Sequence, residues 1–169
     1  PLAAGVGRDG EELTDPGRVY DGKVYSSYPR FNVHPSLATA LVKSGFDVVS
    51  TANNHALDRG PLGVDRTISA LAHAKLAYTG TRDREHPRAG WHTVLKSGDY
   101  RIAFVACTRH VNGREDPEGQ VLRCDRQAKE LKALIRKLAG DDKIDAVIVT
   151  PHWGDEYSHE PNDQQRRWA

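Results

Sequence analysis

The chain has 169 residues, 38% hydrophobic and 28% charged, with 24 Lys plus Arg against 23 Asp plus Glu. That length suits one domain with a single core, and the near balance of charge leaves no long-range field to gather nucleic acid or an anionic membrane. No apolar run approaches the roughly 20 residues of a membrane-spanning helix, so no membrane segment is expected. Pro1 stands where an initiator methionine would, and no basic segment leads into an apolar one there. The chain therefore reads as a processed or excised segment without a secretory signal of its own. Cys107 and Cys124 lack metal-site spacing and are too few for a disulfide scaffold, which predicts two plain thiols.

Residues 1–33 are rich in Gly, Asp, Arg and Pro without sustained periodicity, which predicts an irregular N-terminal arm with one short strand near Lys23–Tyr28. Pro35 can open a helix, and Leu37, Ala38, Leu41 and Val42 then form one apolar stripe ending at Gly45. The β-branched run Phe46–Ala52 reads as a buried strand. A polar loop, Asn53-Asn54-His55, leads into a second helix with Val64, Ile68, Leu71 and Ala72 at helical spacing. Weaker strands are expected near Leu76–Thr79 and Trp91–Leu95, and a strong one at Ile102–Cys107. A charged loop then precedes a long helix whose Leu131, Leu134, Ile135 and Leu138 share a face, stopped by Gly140. The strand Ile144–Thr150 follows, and Asn162–Ala169 reads as the first turns of another helix. Strands alternating with amphipathic helices predict an α/β fold in one domain, with a largely parallel or mixed sheet flanked by helices.

In open α/β sheets ligands sit outside the carboxyl ends of the strands, and two polar clusters fall there, each directly after a strand expected to be buried. One is Asn53-Asn54-His55 with Asp58; the other is His152-Trp153-Gly154 with Glu156. Amide oxygens, imidazoles and carboxylates are competent ligands for divalent metals, and an imidazole beside them can move a proton. Plainer roles stand beside these. Asn53 or Asn54 can cap the helix that follows, Asp58 before Arg59-Gly60 can be a turn residue, His152 can be a hydrogen-bonded structural histidine, and Trp153 can be packing. His34, His73, His86, His92, His110 and His159 have no partner at ligand spacing and read as solvent-facing or structural.

The run Phe31-Asn32, Pro35, Leu37, Leu41, Gly45-Phe46-Asp47-Val48-Val49-Ser50 and Ala52-Asn53-Asn54-His55-Ala56-Leu57-Asp58 resembles the first signature of the bacterial CapA family. His152-Trp153-Gly154-Asp155-Glu156-Tyr157, followed by Glu160-Pro161 and Gln165, is similar to its second. That family is linked to synthesis of poly-γ-glutamate capsules and itself resembles calcineurin-like metallophosphoesterases. The resemblance implies part of a metallophosphoesterase-like sandwich and a metal-dependent hydrolase or transferase acting on phosphate-containing or anionic polymer intermediates. The alternative is a non-catalytic component that binds the polymer during capsule assembly.

Carried over by position, Asn54 and His152 are ligands of one divalent metal ion and His55 is the proton donor. Asn53, Asp58, Trp153 and Glu156 are left to orient the ligands or to meet substrate. The implied partners are the capsule polymer or its precursor and other capsule-synthesis proteins, and the implied location is the cell envelope or its extracytoplasmic face. The family's upstream Gly-Asp motif, its Asn-Leu-Glu segment and its downstream Gly-His-x-His motif do not occur here, so both ends read as truncated relative to the family. Two ligands alone predict poor metal retention, and an uncovered sheet edge allows a homodimer.

Overall fold

The computed structural model describes residues 1–169. The first 33 residues turn back on themselves through single antiparallel bridges, Val6 to Glu12 and Ser26 to Asn32. The expected strand at Lys23–Tyr28 shrinks to the bridge at Ser26. Asp21 is the reason: its Oδ1 accepts from the N–H groups of Lys23 and Tyr25, holding the start of the segment in a turn.

Helix α1 (Ser36–Lys43) begins after Pro35, and Gly45, at φ 87°, turns the chain toward strand β1 (Val48–Ser50). Helix α2 (Gly60–His73) returns it to strand β2 (Ala77–Thr79), parallel to β1 with Val48 opposite Ala77. Strands β3 (His92–Ser97) and β4 (Tyr100–Thr108) form a hairpin. Helix α3 (Ala128–Ala139) then crosses to strand β5 (Ala146–His152), parallel to β4, and helix α4 (Asp163–Trp168) is closed by a capping box of Asn162 and Gln165. The architecture is α/β: a parallel pair, β1-β2, and a mixed sheet ordered β3-β4-β5, flanked by helices.

β4 is central because it is apolar on both faces. Ala103, Val105 and Cys107 meet Leu131 and Leu138 of α3, while Ala106 on the other face meets Val64 and Ile68 of α2. Burying each of those leucines contributes about 1.5–3 kcal/mol. Ala38 of α1 closes a third, smaller cluster with Leu71 and Leu76.

The expectation that the strands before the two polar clusters are buried is overturned. β1 has a partner on one side only, with Val48 and Val49 half-buried and Phe46 51% exposed. β5 is an edge strand whose Ile148 and Val149 are 41% and 36% exposed. Their β-branched composition reflects extended backbone rather than a covered face.

The two sheets are joined at a seam. Thr79 Oγ1 donates to the carbonyls of Trp91 at 2.9 Å and Phe104 at 3.1 Å, and Leu122 N–H donates to Gly80 O at 3.0 Å. Cys107 at the end of β4 forms a disulfide with Cys124, 17 residues on, in place of the two thiols expected. The pair was missed because a bridge between a strand and a distant loop has no local spacing to read. It fastens the 109–123 loop to β4, where Thr108 N–H donates to Leu122 O and Cys124 N–H to Thr108 O. A closed loop of this length contributes about 3 kcal/mol. Replacing both cysteines with alanine should therefore lower the melting temperature by roughly 6–12 °C. A reductant should lower the melt of the parent protein and leave the double variant unmoved; equal melts for the two proteins would count against the bridge.

Candidate functional site

The turn after β1 winds from Asn53, whose Oδ1 accepts from His55 N–H at 2.9 Å, and this Asx-turn brings Asn54 and His55 to the end of the strand. Three residues on, in the same turn, Asp58 is almost fully buried and its Oδ2 lies 2.7 Å from His55 Nδ1. A carboxylate oxygen only accepts, so Nδ1 carries the proton and Nε2 is left without a protein partner. The same oxygen accepts from the backbone N–H of Phe31 at 2.8 Å, and the Phe31 ring stands against the imidazole at 4.7 Å.

β5 runs parallel to β4 and ends at His152, opposite Thr108. Arg109 N–H donates to His152 O at 3.0 Å, fixing the strand end. His152 Nε2 then lies 3.1 Å from Asn54 Oδ1 across 98 residues of sequence. The two polar clusters, which follow strands of separate sheets, thus meet around a cleft of about 540 Å3 lined by Asn53, Asn54, His55, Thr150, Pro151 and His152, with Phe31. Its walls, then the neighbouring imidazoles of His110 and His55, push the His152 imidazole below its ordinary range. That favours the neutral ring, the form that ligates metals.

The remaining expected residues divide. Asn53 lines the cleft while making its Asx-turn; it does not cap α2, which begins at Gly60 after Arg59 with no side-chain cap. Trp153 packs against Trp168 of α4 with centroids 6.2 Å apart, which is packing rather than a platform facing the cleft. Glu156 is exposed and makes no hydrogen bond or ion pair. His110 is exposed, as expected, and its imidazole is one of the two that bear on His152. Asn112, at φ 50°, was missed: its Oδ1 accepts from Asn54 Nδ2 at 3.4 Å, and its Nδ2 is 3.5 Å from His55 Nδ1. That second contact is a van der Waals neighbour, because Nδ1 already donates to Asp58. The rule that singled out the other two loops, polar residues directly after a strand, applies equally to Arg109–Asn112 after β4 and was the available signal.

His152 Nε2 donates to Asn54 Oδ1 at 3.1 Å, since an amide oxygen only accepts; with that proton moved to Nδ1 the two atoms have the separation of adjacent ligands on one ion, because two bonds of about 2.1 Å at a right angle place such atoms about 3 Å apart. Both donors are neutral, and no group of three His, Cys, Asp or Glu side chains converges here. The chain's own residues therefore fit one corner of a divalent-metal shell and not a whole one.

A fold and cleft of this kind define an α/β protein with histidine and amide groups at the ends of its strands, and comparison with known proteins narrows the class. The family model described as bacterial capsule synthesis protein PGA_cap matches residues 13–169, so the chain belongs to that family. The capsule biosynthesis protein CapA of Bacillus anthracis is 29% identical over 164 residues, covering 91% of this chain and 39% of the relative. The PGA biosynthesis protein CapA of Bacillus subtilis (strain 168) is 29% identical over 138 residues, covering 76% of this chain and 34% of the relative. The chain thus spans between a third and two-fifths of these relatives' length. No helix is long and apolar enough to cross a membrane.

Proposed function

We propose that the cleft belongs to a metallophosphoesterase-like site of a capsule-synthesis protein, acting as a hydrolase or transferase on phosphate-containing or anionic polymer intermediates. His55 moves the proton, Asp58 holds its ring, and Asn54 with His152 takes one divalent metal ion, which would polarise the substrate and supply an activated water. One observation carries this reading: an imidazole fixed through Nδ1 by a buried carboxylate lines a cleft in which Asn54 Oδ1 and His152 Nε2 also lie 3.1 Å apart. The disulfide supports an oxidising setting, in keeping with the cell-envelope or extracytoplasmic location that the resemblance implies. Capsule polymer, its precursor and other capsule-synthesis proteins are the partners this reading requires, and the exposed β5 edge suits a second copy of the chain.

In the protein as its host expresses it, His55→Ala and His152→Ala should each lower phosphodiester turnover and capsule formation by about 100-fold or more. The stability of His152→Ala should change by no more than about 1 kcal/mol, because that side chain stands outside the packed clusters, whereas His55→Ala should cost about 1–3 kcal/mol, because buried Asp58 loses one of the two groups that donate to it. Collapse of the fold in both variants would assign the two histidines a structural role and end the proposal. The scarcity of converging donors favours a second reading, a non-catalytic polymer-binding component. Elemental analysis after dialysis, alongside a phosphodiester assay, separates the two: tightly held metal with turnover supports the enzyme, and polymer binding without either supports the second.

A further inference from the structure

We infer that Phe31 is the positioning residue of the His55–Asp58 pair, holding both partners from one point on the N-terminal arm; this rests on the reading of His55 as the group that moves the proton. Two contacts from one residue carry the inference. The backbone N–H of Phe31 donates to Asp58 Oδ2 at 2.8 Å, the same oxygen that accepts from His55 Nδ1 at 2.7 Å. The phenyl ring stands edge-to-face against the imidazole, with centroids 4.7 Å apart and planes at 88°.

These contacts do different work. The backbone bond orients the carboxylate, and any residue except proline could supply it. The ring restrains the imidazole itself. A histidine tied by one hydrogen bond still has a broad χ2 well, because a torsion between sp3 and sp2 atoms has no sharp minima. An aromatic ring packed edge-to-face at 4.7 Å narrows that well and fixes where Nε2 points.

Phe31 is itself well placed for this. The neighbouring Asn32 is buried and donates from Nδ2 to Ala3 O at 2.7 Å and Val24 O at 2.9 Å, while its Oδ1 accepts from Ala3 N–H at 2.8 Å. The phenyl ring belongs to none of the three packed clusters and is only partly buried, so core packing does not account for it. It also forms the partition between the cleft and a separate groove of about 270 Å3 on the arm, lined by Tyr20, Tyr25 and His34. Arm and proton-moving pair are thereby linked through one side chain.

The test uses Phe31→Leu, Phe31→Tyr and His55→Ala in the protein as its host expresses it, with histidine isotopically labelled. Phe31→Leu should abolish the ring-current displacement of the His55 Cδ2–H and Cε1–H resonances and lower function about three- to ten-fold. Phe31→Tyr, which keeps the ring, should restore both. Should the leucine variant melt early, Phe31→Met keeps the volume without the ring and takes its place. Unchanged His55 resonances and full function in the ring-less variant would overturn the inference. If His55→Ala itself retains full function, the reading of His55 falls instead, and the resonances still decide whether Phe31 orients the ring.

Discussion

Gly80→Ala should lower stability by about 2–5 kcal/mol, a drop of roughly 4–20 °C in melting temperature, and should separate the two halves of the cleft. Gly80 follows β2 at φ 98°, a conformation that side-chain-bearing residues rarely adopt. A Cβ there would lie 2.5 Å from Ala52 Cβ and 3.0 Å from both Ala106 Cβ and Ala106 O. None of these can step aside, because Ala52 and Ala106 are essentially fully buried and the Gly80 carbonyl is tied to Leu122 N–H. Backbone strain and overpacking therefore add, the first at about 1–2 kcal/mol and the second at about 1–3 kcal/mol. Ala52 immediately precedes Asn53-Asn54-His55, and Ala106 lies opposite Thr150, two residues before His152. Pushing them apart lengthens the 3.1 Å separation of Asn54 and His152. A melt within about 2 °C of the parent would show that the seam yields more easily than close-packed alanines allow.

Arg59→Ala is the second large effect, with an expected loss of about 3–5 kcal/mol and release of the arm. The Arg59 guanidinium has no accessible surface and faces no carboxylate directly; it donates to Lys23 O at 3.1 Å, to Arg30 O at 3.2 Å and to Ser26 Oγ. Burial, then the nearby charge of Arg8, pulls it below its ordinary value. Gly63, one turn into α2, leaves room for it, since a Cβ there would stand 2.2 Å from Arg59 Cβ. Alanine leaves Lys23 O and Ser26 Oγ without the guanidinium donor, leaves Arg30 O with the Ser26 hydroxyl alone, and opens a cavity where the side chain was. Lysine should not rescue the loss, because a point-like ammonium lacks the planar fork that reaches all three. Limited proteolysis reads the result: cleavage within residues 18–30 should rise sharply in the alanine variant. An arm that stays protected at an unchanged melting temperature would show that Asn32 alone holds it.

The four helices were legible because each announces itself locally. Pro35 and Gly45 bracket α1, the 3.6-residue stripe of Leu131 to Leu138 marks α3, and Asn162 with Gln165 caps α4. The strong strand at β4 was legible for its composition. Burial of β1 and β5 was misread because a β-branched run records extended backbone and not what covers it. Asn54, His55 and His152 were singled out by their place at strand ends and by family resemblance, whereas Asn112 after β4 passed unnoticed. Phe31 appeared only as one letter of a signature, since a contact across 24 residues has no periodicity.

What the sequence determined by itself is the alternation of helices and strands, the α/β class and the family, all of which rest on short-range pattern. Only the tertiary structure decided that β4 is sandwiched while β1 and β5 are edges, that Cys107 and Cys124 join, and that Trp153 packs on α4 while His110 bears on His152. The physical reason is the same each time. Local propensity is fixed by a residue and its neighbours within a turn, whereas burial, disulfide pairing and the field at an imidazole depend on groups that only chain closure brings within a few ångströms.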